Sequence, residues 1–278
     1  MSPMTYRTRF APSPTGYLHL GHAYAALTAF KAAQDAGGEC LLRIEDIDRT
    51  RCRPEYEAAI YEDLHRLGLD WPEPVLRQSD HLADYEAALE RLKARGLVYA
   101  CYKTRKELAQ AAQGAPQEGD APRAETAPDR EPSWRLSLDA AREALGPEWE
   151  RLSFEETGAG PNGETGRQTV RPDVNGDVVL GRKDIGVAYH LAVVIDDARQ
   201  GITHVHRGHD LFEATHTQVV LQKLLGLATP VYRHHALLLD DQGRRLAKRK
   251  GSKSLRDYRL EGMDAEAVRA LIAAAPKA

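Results

Sequence analysis

The sequence predicts an α/β fold: an open parallel sheet flanked by helices, a smaller unit inserted midway, and a short helical segment at the C-terminus. Three observations carry that expectation. Arg9–Ala29, written RFAPSPTGYLHLGHAYAALTA, reads as a short strand, a Pro-rich loop and an Ala-rich helix starting near Ala23. Residues 38–48, GECLLRIEDID, form an apolar strand pattern running into acids, and the carboxyl end of such a strand faces the ligand crevice of an open α/β sheet. Between residues 109 and 132 the composition shifts to Ala, Pro, Gly and acids, with nothing larger than Ala to bury, so a long loop interrupts the sheet pattern.

The remaining elements follow in order. Gly37 and Gly38 end the first helix, and an amphipathic helix runs from about Pro54 to Leu67. Tyr85, Leu89 and Leu92 recur at helical spacing before Gly96, and Trp71 and Tyr85 read as packing residues. Trp134–Leu138 resumes as a strand, residues 158–166 form a loop, and Val174–Leu180 reads as a turn at Asn175-Gly176 feeding a strand. AYHLAVVIDD, residues 188–197, suits a buried helix or strand equally. ITHVHRGHD is a strand ending in polar groups, and a helix from about Leu211 stops at Gly226.

With 278 residues the chain is long enough to bury a full core. Charged residues make up 28% and no run of about 18 apolar residues occurs, which excludes a membrane-spanning helix. The N-terminus lacks an apolar leader, so a cytoplasmic location is expected. Cys40, Cys52 and Cys101 are odd in number and scattered, which is not a disulfide framework. A net charge of -3 means that any contact with RNA must come from a local patch. Arg244, Arg245, Lys248, Arg249, Lys250, Lys253, Arg256 and Arg259 supply one.

The turn at His19-Leu20-Gly21-His22 aims helix N-terminal N–H groups and two imidazoles at one spot, while Gly21 leaves room for a flat ring against the backbone. That suits a polyphosphate and its base. A metal would need a third ligand that is not nearby. HLGH preceded by RFAPSPTG resembles the first signature of class I aminoacyl-tRNA synthetases in their glutamate-specific branch, and LDDQGRRLAKRKGS resembles their second signature loop. In that loop Arg245 and Ala247 depart from the usual Lys and Ser, and Lys248 keeps the position whose ammonium steadies the triphosphate.

The resemblance implies a class I synthetase Rossmann-type catalytic domain over 1–98 and 189–240, an inserted acceptor-binding-like domain over 99–188, and a signature-loop and helical segment over 241–278, with no anticodon-binding domain. It implies that His19, Gly21, His22 and Lys248 bind ATP with Mg2+, and that His19, His22 and Lys248 are catalytic. It places Arg9, Ala11, Ser13, Glu45, Tyr189 and Arg207 at L-glutamate, with Glu45 opposite the amino group and Arg9 and Arg207 together on the side-chain carboxylate. Two guanidiniums short of an acceptor would then disfavour glutamine. Members usually carry Asn where Val193 stands, so weaker glutamate binding is expected. Relatives often hold zinc through a knuckle beginning C-x-C; here Cys101 remains, Lys103 replaces the second thiol, and no zinc is expected.

Because only about 25 residues follow the signature loop, the similarity is to the short branch of this family, the glutamyl-queuosine tRNA(Asp) synthetases. It implies a ligase that activates glutamate without tRNA and esterifies it to queuosine in the anticodon of tRNA-Asp, acting as a monomer. Two other classes compete for the same residues. A nucleotidyltransferase acting on a small molecule would use HLGH and Lys248 but leave RFAPSPTG and Arg207 without a task. A silent tRNA-binding fragment would account for Arg245 and Ala247.

Overall fold

The computed structural model describes residues 5–103, 131–240, 242–244, 246 and 253–278. Its central sheet is built outward from two neighbouring strands. β1 (Arg7–Phe10) runs parallel to β2 (Glu39–Ile44), and β2 runs parallel to the short β3 (Leu76–Arg77). On the other side β10 (His204–Gly208) is parallel to β11 (Val231–His235), and β11 to β6 (Ser153–Glu156), which pairs antiparallel with β7 (Gly166–Thr169). Thr203 joins the halves: its amide donates to the Arg7 carbonyl at 2.9 Å, and its Oγ1 accepts from the Arg7 amide at 2.9 Å. Strand order therefore proceeds in opposite directions from β1 and β10, and a crevice at such a switch point is where open α/β sheets bind ligands.

Helix α1 (Leu20–Asp35) packs through Ala23, Ala26, Ala29 and Ala33, whose small side chains let it lie close to the sheet. It begins at Leu20, earlier than the expected Ala23, because the His19 side chain caps it. Gly37, at φ +62°, turns the chain toward β2. Helices α2 (Pro54–Arg66) and α3 (Leu82–Ala94) follow the apolar spacing seen in the sequence.

A separate antiparallel sheet is ordered β4 (Val98–Cys101), β5 (Ser133–Leu136), β8 (Val179–Arg182), β9 (Gly186–Val187). Helix α4 (Leu138–Leu145), capped by Ser137, follows β5. The range 99–188 thus encloses strands of two sheets, since β6 and β7 belong with β11 in the central one. The expected strand from Val174 also begins later, at Val179. Residues 172–175 form a 3-10 turn, and Asn175 Nδ2 donates to the Glu213 carbonyl at 2.7 Å and Thr217 Oγ1 at 2.9 Å, which ties that turn to the helix at Phe212–Leu225.

The ambiguous run at 188–197 is helix α5 (Tyr189–Arg199), buried on nearly every side, which explains why it shows no clear apolar face. Helix α6 (Phe212–Leu225) ends at Gly226, at φ +70°. The described C-terminal part adds α7 (Leu255–Leu260) and α8 (Ala265–Ala274), whose Leu255, Val268 and Ile272 join the apolar cluster under α1. Among the described residues no helix is long and apolar enough to cross a membrane.

Candidate active site

At the carboxyl end of β1 the chain enters the loop of Ala11 and Ser13. Pro12 accepts the Glu45 amide at 3.0 Å and Pro14 accepts the Arg53 amide at 3.0 Å, which lays this loop along the end of β2. The loop then reaches HLGH. There the His22 Nδ1 accepts the His19 amide at 3.1 Å, and the His19 Nδ1 accepts the Gly21 amide at 3.1 Å. Because a backbone N–H can only donate, both neutral rings must carry their proton on Nε2. The two rings lie 3.8 Å apart, so the capping box presents two ring N–H donors side by side. A Cβ at position 21 would come 2.9 Å from His19 Cε1, which is why glycine stands there.

His19, Gly21 and His22 line a cavity of about 270 Å³ closed by Gly208, Asp210, His235, Leu237 and Leu246. Gly208 ends β10, and a Cβ there would sit 2.6 Å from both Asp210 Oδ1 and Leu237 Cδ2. The cavity is therefore a slot between the carboxyl ends of β1 and β10, apolar at Leu237 and cornered by imidazoles. The downstream segment is fixed to it, since Ser254 bridges His19 and the Leu255 amide donates to the Leu18 carbonyl at 2.7 Å. Lys248, with Arg245 and Ala247, lies outside the described residues.

The residues expected at the amino acid fall in two electrostatic groups. Arg9, on β1, donates its Nε to Asp197 Oδ1 at 2.9 Å, and the fully buried Arg43 donates Nη1 to the same oxygen at 2.7 Å. Arg43 also donates Nη2 to Glu45 Oε1 at 3.1 Å. Asp196 completes the group, accepting from Tyr85 OH at 2.7 Å and Gln78 Nε2 at 2.8 Å. Two cations thus face three acids, Glu45, Asp196 and Asp197. Burial lifts Asp197, but Arg9 and Arg43 outweigh it and hold that carboxyl below its ordinary range. Burial instead wins at Glu45, where Arg43 and Arg9 only partly offset it, so its pKa is raised. An excess buried acid with a raised pKa is what an incoming ammonium would relieve.

Arg207 is different. It is buried, and its three hydrogen-bond partners among the described residues are neutral: His234 Nε2 at 3.1 Å, Gln218 Oε1 at 2.8 Å and Thr215 Oγ1 at 2.6 Å. A guanidinium has five N–H donors, so two remain. Behind it, the buried Glu156 takes the His234 ring at Nδ1, 2.5 Å away, and also accepts the His234 and Gly158 amides at 2.9 and 2.7 Å. Glu156 therefore keeps the His234 proton on Nδ1, leaving Nε2 as an acceptor for Arg207. Burial followed by the positive charge of Arg207 lowers the His234 pKa against the pull of Glu156.

Tyr189 opens α5, and its phenol is the meeting point. Burial raises its pKa, Arg207 and Arg9 lower it, and Glu45 and Asp197 raise it again, so all four charges act on one hydroxyl. Of the two guanidiniums expected on one side-chain carboxylate, Arg9 is paired with Asp197 and Arg207 has no carboxylate among the described residues. Val193 is buried among apolar core residues and offers the site no hydrogen bond. Cys101 lies on β4, and among the described residues no group of three or more His, Cys, Asp or Glu is placed to hold a metal.

Sequence reasoning missed Arg43, Asp197, Glu156, His234, Gly208 and Asp210. The RGHD run at the end of β10 was a usable signal for the last two, because strand carboxyl ends at a switch point face the crevice.

This site and fold define a class I synthetase catalytic unit, and the family model for the catalytic domain of class I tRNA synthetases (E and Q) matches residues 5–274. The chain is 50% identical to a glutamyl-Q tRNA(Asp) synthetase of Rhodobacter capsulatus, covering 95% of this chain and 99% of that one. It is 43% identical to a glutamyl-Q tRNA(Asp) synthetase of Nitratidesulfovibrio vulgaris, over 93% of this chain and 82% of the relative. Among solved structures, a glutamate tRNA ligase from Elizabethkingia meningosepticum in complex with its amino acid superposes with a TM-score of 0.71 at 27% identity. That match covers 97% of this chain and 60% of the longer ligase. The chain belongs to the class I tRNA synthetases for E and Q, and among them to the glutamyl-Q tRNA(Asp) synthetase family.

Proposed function

We propose that the protein activates L-glutamate with ATP, without needing tRNA, and transfers it to queuosine in the anticodon of tRNA-Asp. The observation that carries the choice of amino acid is Arg207: a buried cation with two N–H donors left over and no carboxylate among its described partners. The glutamate side-chain carboxylate completes it, whereas glutamine would leave one donor facing an amide N–H. Glu45, whose Oε1 is held by Arg43, offers its other oxygen to the α-ammonium. Tyr189, Ser13 and Ala11 close the same pocket, and Arg9 fixes Asp197 beneath it.

In the first half-reaction an oxygen of the glutamate α-carboxylate attacks the α-phosphorus of ATP, and pyrophosphate leaves with the bridging electrons. The Nε2–H groups of His19 and His22 donate to phosphoryl oxygens as charge builds there, an electrostatic role that requires no proton transfer. Adenine occupies the slot at Gly208 and Leu237, beside Gly21, whose missing side chain leaves the His19 ring its place at the helix N-terminus. Lys248 keeps the position of the second signature loop whose ammonium steadies the triphosphate, and it is assigned to the departing pyrophosphate on that resemblance. Mg2+ bound to the ATP phosphates would neutralise part of their charge; among the described residues no group of three or more His, Cys, Asp or Glu is placed to hold it, so the phosphates themselves would carry it. In the second half-reaction a hydroxyl of the queuosine cyclopentenediol attacks the glutamyl carbonyl and AMP leaves, its phosphate keeping the electrons of the broken bond and taking up the hydroxyl proton. Catalysis is assigned to 1–98 and 189–240 together with β6 and β7, and the signature loop to 241–278.

The test is labelled glutamate transfer to tRNA from cells that make queuosine and from cells that do not. Charging of only the first pool is expected. Equal charging of both, or ester at the 3′ end, would overturn the assignment.

A further inference from the structure

A separate cavity of about 540 Å³ is lined by Pro14 and Asp46, the sequence neighbours of Ser13 and Glu45. Arg49, Arg53, Arg77 and Tyr61 also line it. Its acids are already engaged. Asp46 accepts from the Ser79 amide and hydroxyl at 2.8 and 2.7 Å, and Glu57 binds Arg77 through two bonds and the Tyr61 hydroxyl at 3.1 Å. Among the described residues two cations are left without a carboxylate. Arg53 reaches only the carbonyls of Thr50 and Cys52, at 3.1 and 3.0 Å, and the exposed Arg49 has no side-chain partner among the described residues.

A recess with unmatched guanidiniums calls for an anion, and the aromatic wall says which kind. Tyr61 lies 5.9 Å from Trp71, on which His65 stacks at 4.4 Å, so the cavity edge continues into a run of rings. Guanidiniums that hold phosphate beside an aromatic face that stacks a base are the grammar of unpaired nucleotides, and a duplex cannot offer its bases in this way. The volume lies in the roughly 300–1,000 Å³ range of small-ligand sites, enough for one nucleotide. The β8–β9 hairpin stands close enough for Asp48 to act on Arg182, and its exposed Lys183 adds a further cation to the approach.

We infer that this cavity receives an unpaired nucleotide next to the acceptor nucleotide of the RNA, with its phosphate at Arg49 and Arg53 and its base against Tyr61. This rests on an RNA loop being the glutamate acceptor. Arg49 is the residue to change, because nothing in the fold leans on its side chain. Binding of a tRNA-Asp anticodon stem-loop is measured against salt for the wild type, Arg49→Ala and Arg49→Glu, beside a duplex of the same stem. Glutamate-dependent pyrophosphate exchange without RNA reports on the activation site. Stem-loop affinity should fall about fivefold for Arg49→Ala and further for Arg49→Glu, with the salt slope reduced by about 0.7–0.9 for one lost phosphate contact. Duplex binding and exchange should stay at wild-type level. Unchanged stem-loop affinity and slope in Arg49→Glu would overturn the inference even if glutamate transfer proceeds. Conversely, stem-loop binding through Arg49 with no glutamate transfer would sustain the cavity and reject the enzymatic assignment.

Discussion

Arg207 and Glu45 carry opposite imbalances, a cation with no acid among the described residues and an acid whose burial outweighs its cations, and the proposed selectivity rests on them. Replacing Arg207 by Ala removes two charge-assisted bonds worth roughly 1.5–3 kcal/mol each, so the glutamate KM in pyrophosphate exchange should rise by at least about a hundredfold while the ATP KM stays put. Glu156 acts at one remove. In Glu156→Gln, an amide N–H can face His234 Nδ1 and drive the ring proton to Nε2, where it meets the Arg207 Nε–H. The glutamate KM should then rise about tenfold, with the preference over glutamine narrowed and the ATP KM again unchanged. A variant with wild-type glutamate KM would show that the His234 tautomer does not matter. HLGH and the acid of RIED were legible in the sequence because each is local. Glu156 and His234 lie 78 residues apart, and Arg9 and Asp197 lie 188 apart, so no spacing rule could pair them.

Helix α5 joins the site to the sheet, since one carboxylate, Asp197, holds Arg9 on β1 and Arg43 on β2. Breaking a buried pair from one side leaves uncompensated charge and costs about 3–5 kcal/mol. Asp197→Asn, by stranding two guanidiniums, should lower stability by at least that much in urea unfolding. Loss of under about 1 kcal/mol would mean that the network is wetter than its burial implies. The N-terminus of α1 can be tested separately. Gly21→Ala pushes a methyl to 2.9 Å from the His19 ring, which must leave its cap. A lost cap costs about 0.5–2 kcal/mol, and exchange activity should fall further than that stability change explains. The start of α1 was misplaced in the sequence by three residues because histidine is not a customary cap. The identity of α5 stayed open because a helix buried on all sides has no polar stripe to reveal its period.

Across the molecule, histidine sets the acid limit. His190 and His216 are pushed down to about 4 and His206 to about 3 by burial, and His204, His234 and His235 are also lowered. For a group whose folded pKa is depressed, the unfolded chain binds the proton first, so stability is held above about pH 6.5 and lost as pH falls toward 4 and 3. Asp63, raised to about 6 by burial, and the raised Glu45 and Asp196 oppose this, but they are three groups against six. Tm should therefore decline steadily from pH 6.5 to 4, and a flat profile there would contradict burial of the neutral rings. At this scale the parallel sheet with an insertion was readable from strand patterns and the composition break. The return of β6 and β7 to the central sheet was not, because short strands with polar residues carry no label for the sheet they join.

The central claim is a dicarboxylic amino-acid pocket coupled to a triphosphate cradle, and it is tested most directly by exchange of labelled pyrophosphate into ATP with no RNA present. Exchange that depends on glutamate and is not supported by glutamine or aspartate is the expected result. Equal exchange with glutamine, or none with any amino acid, would contradict it.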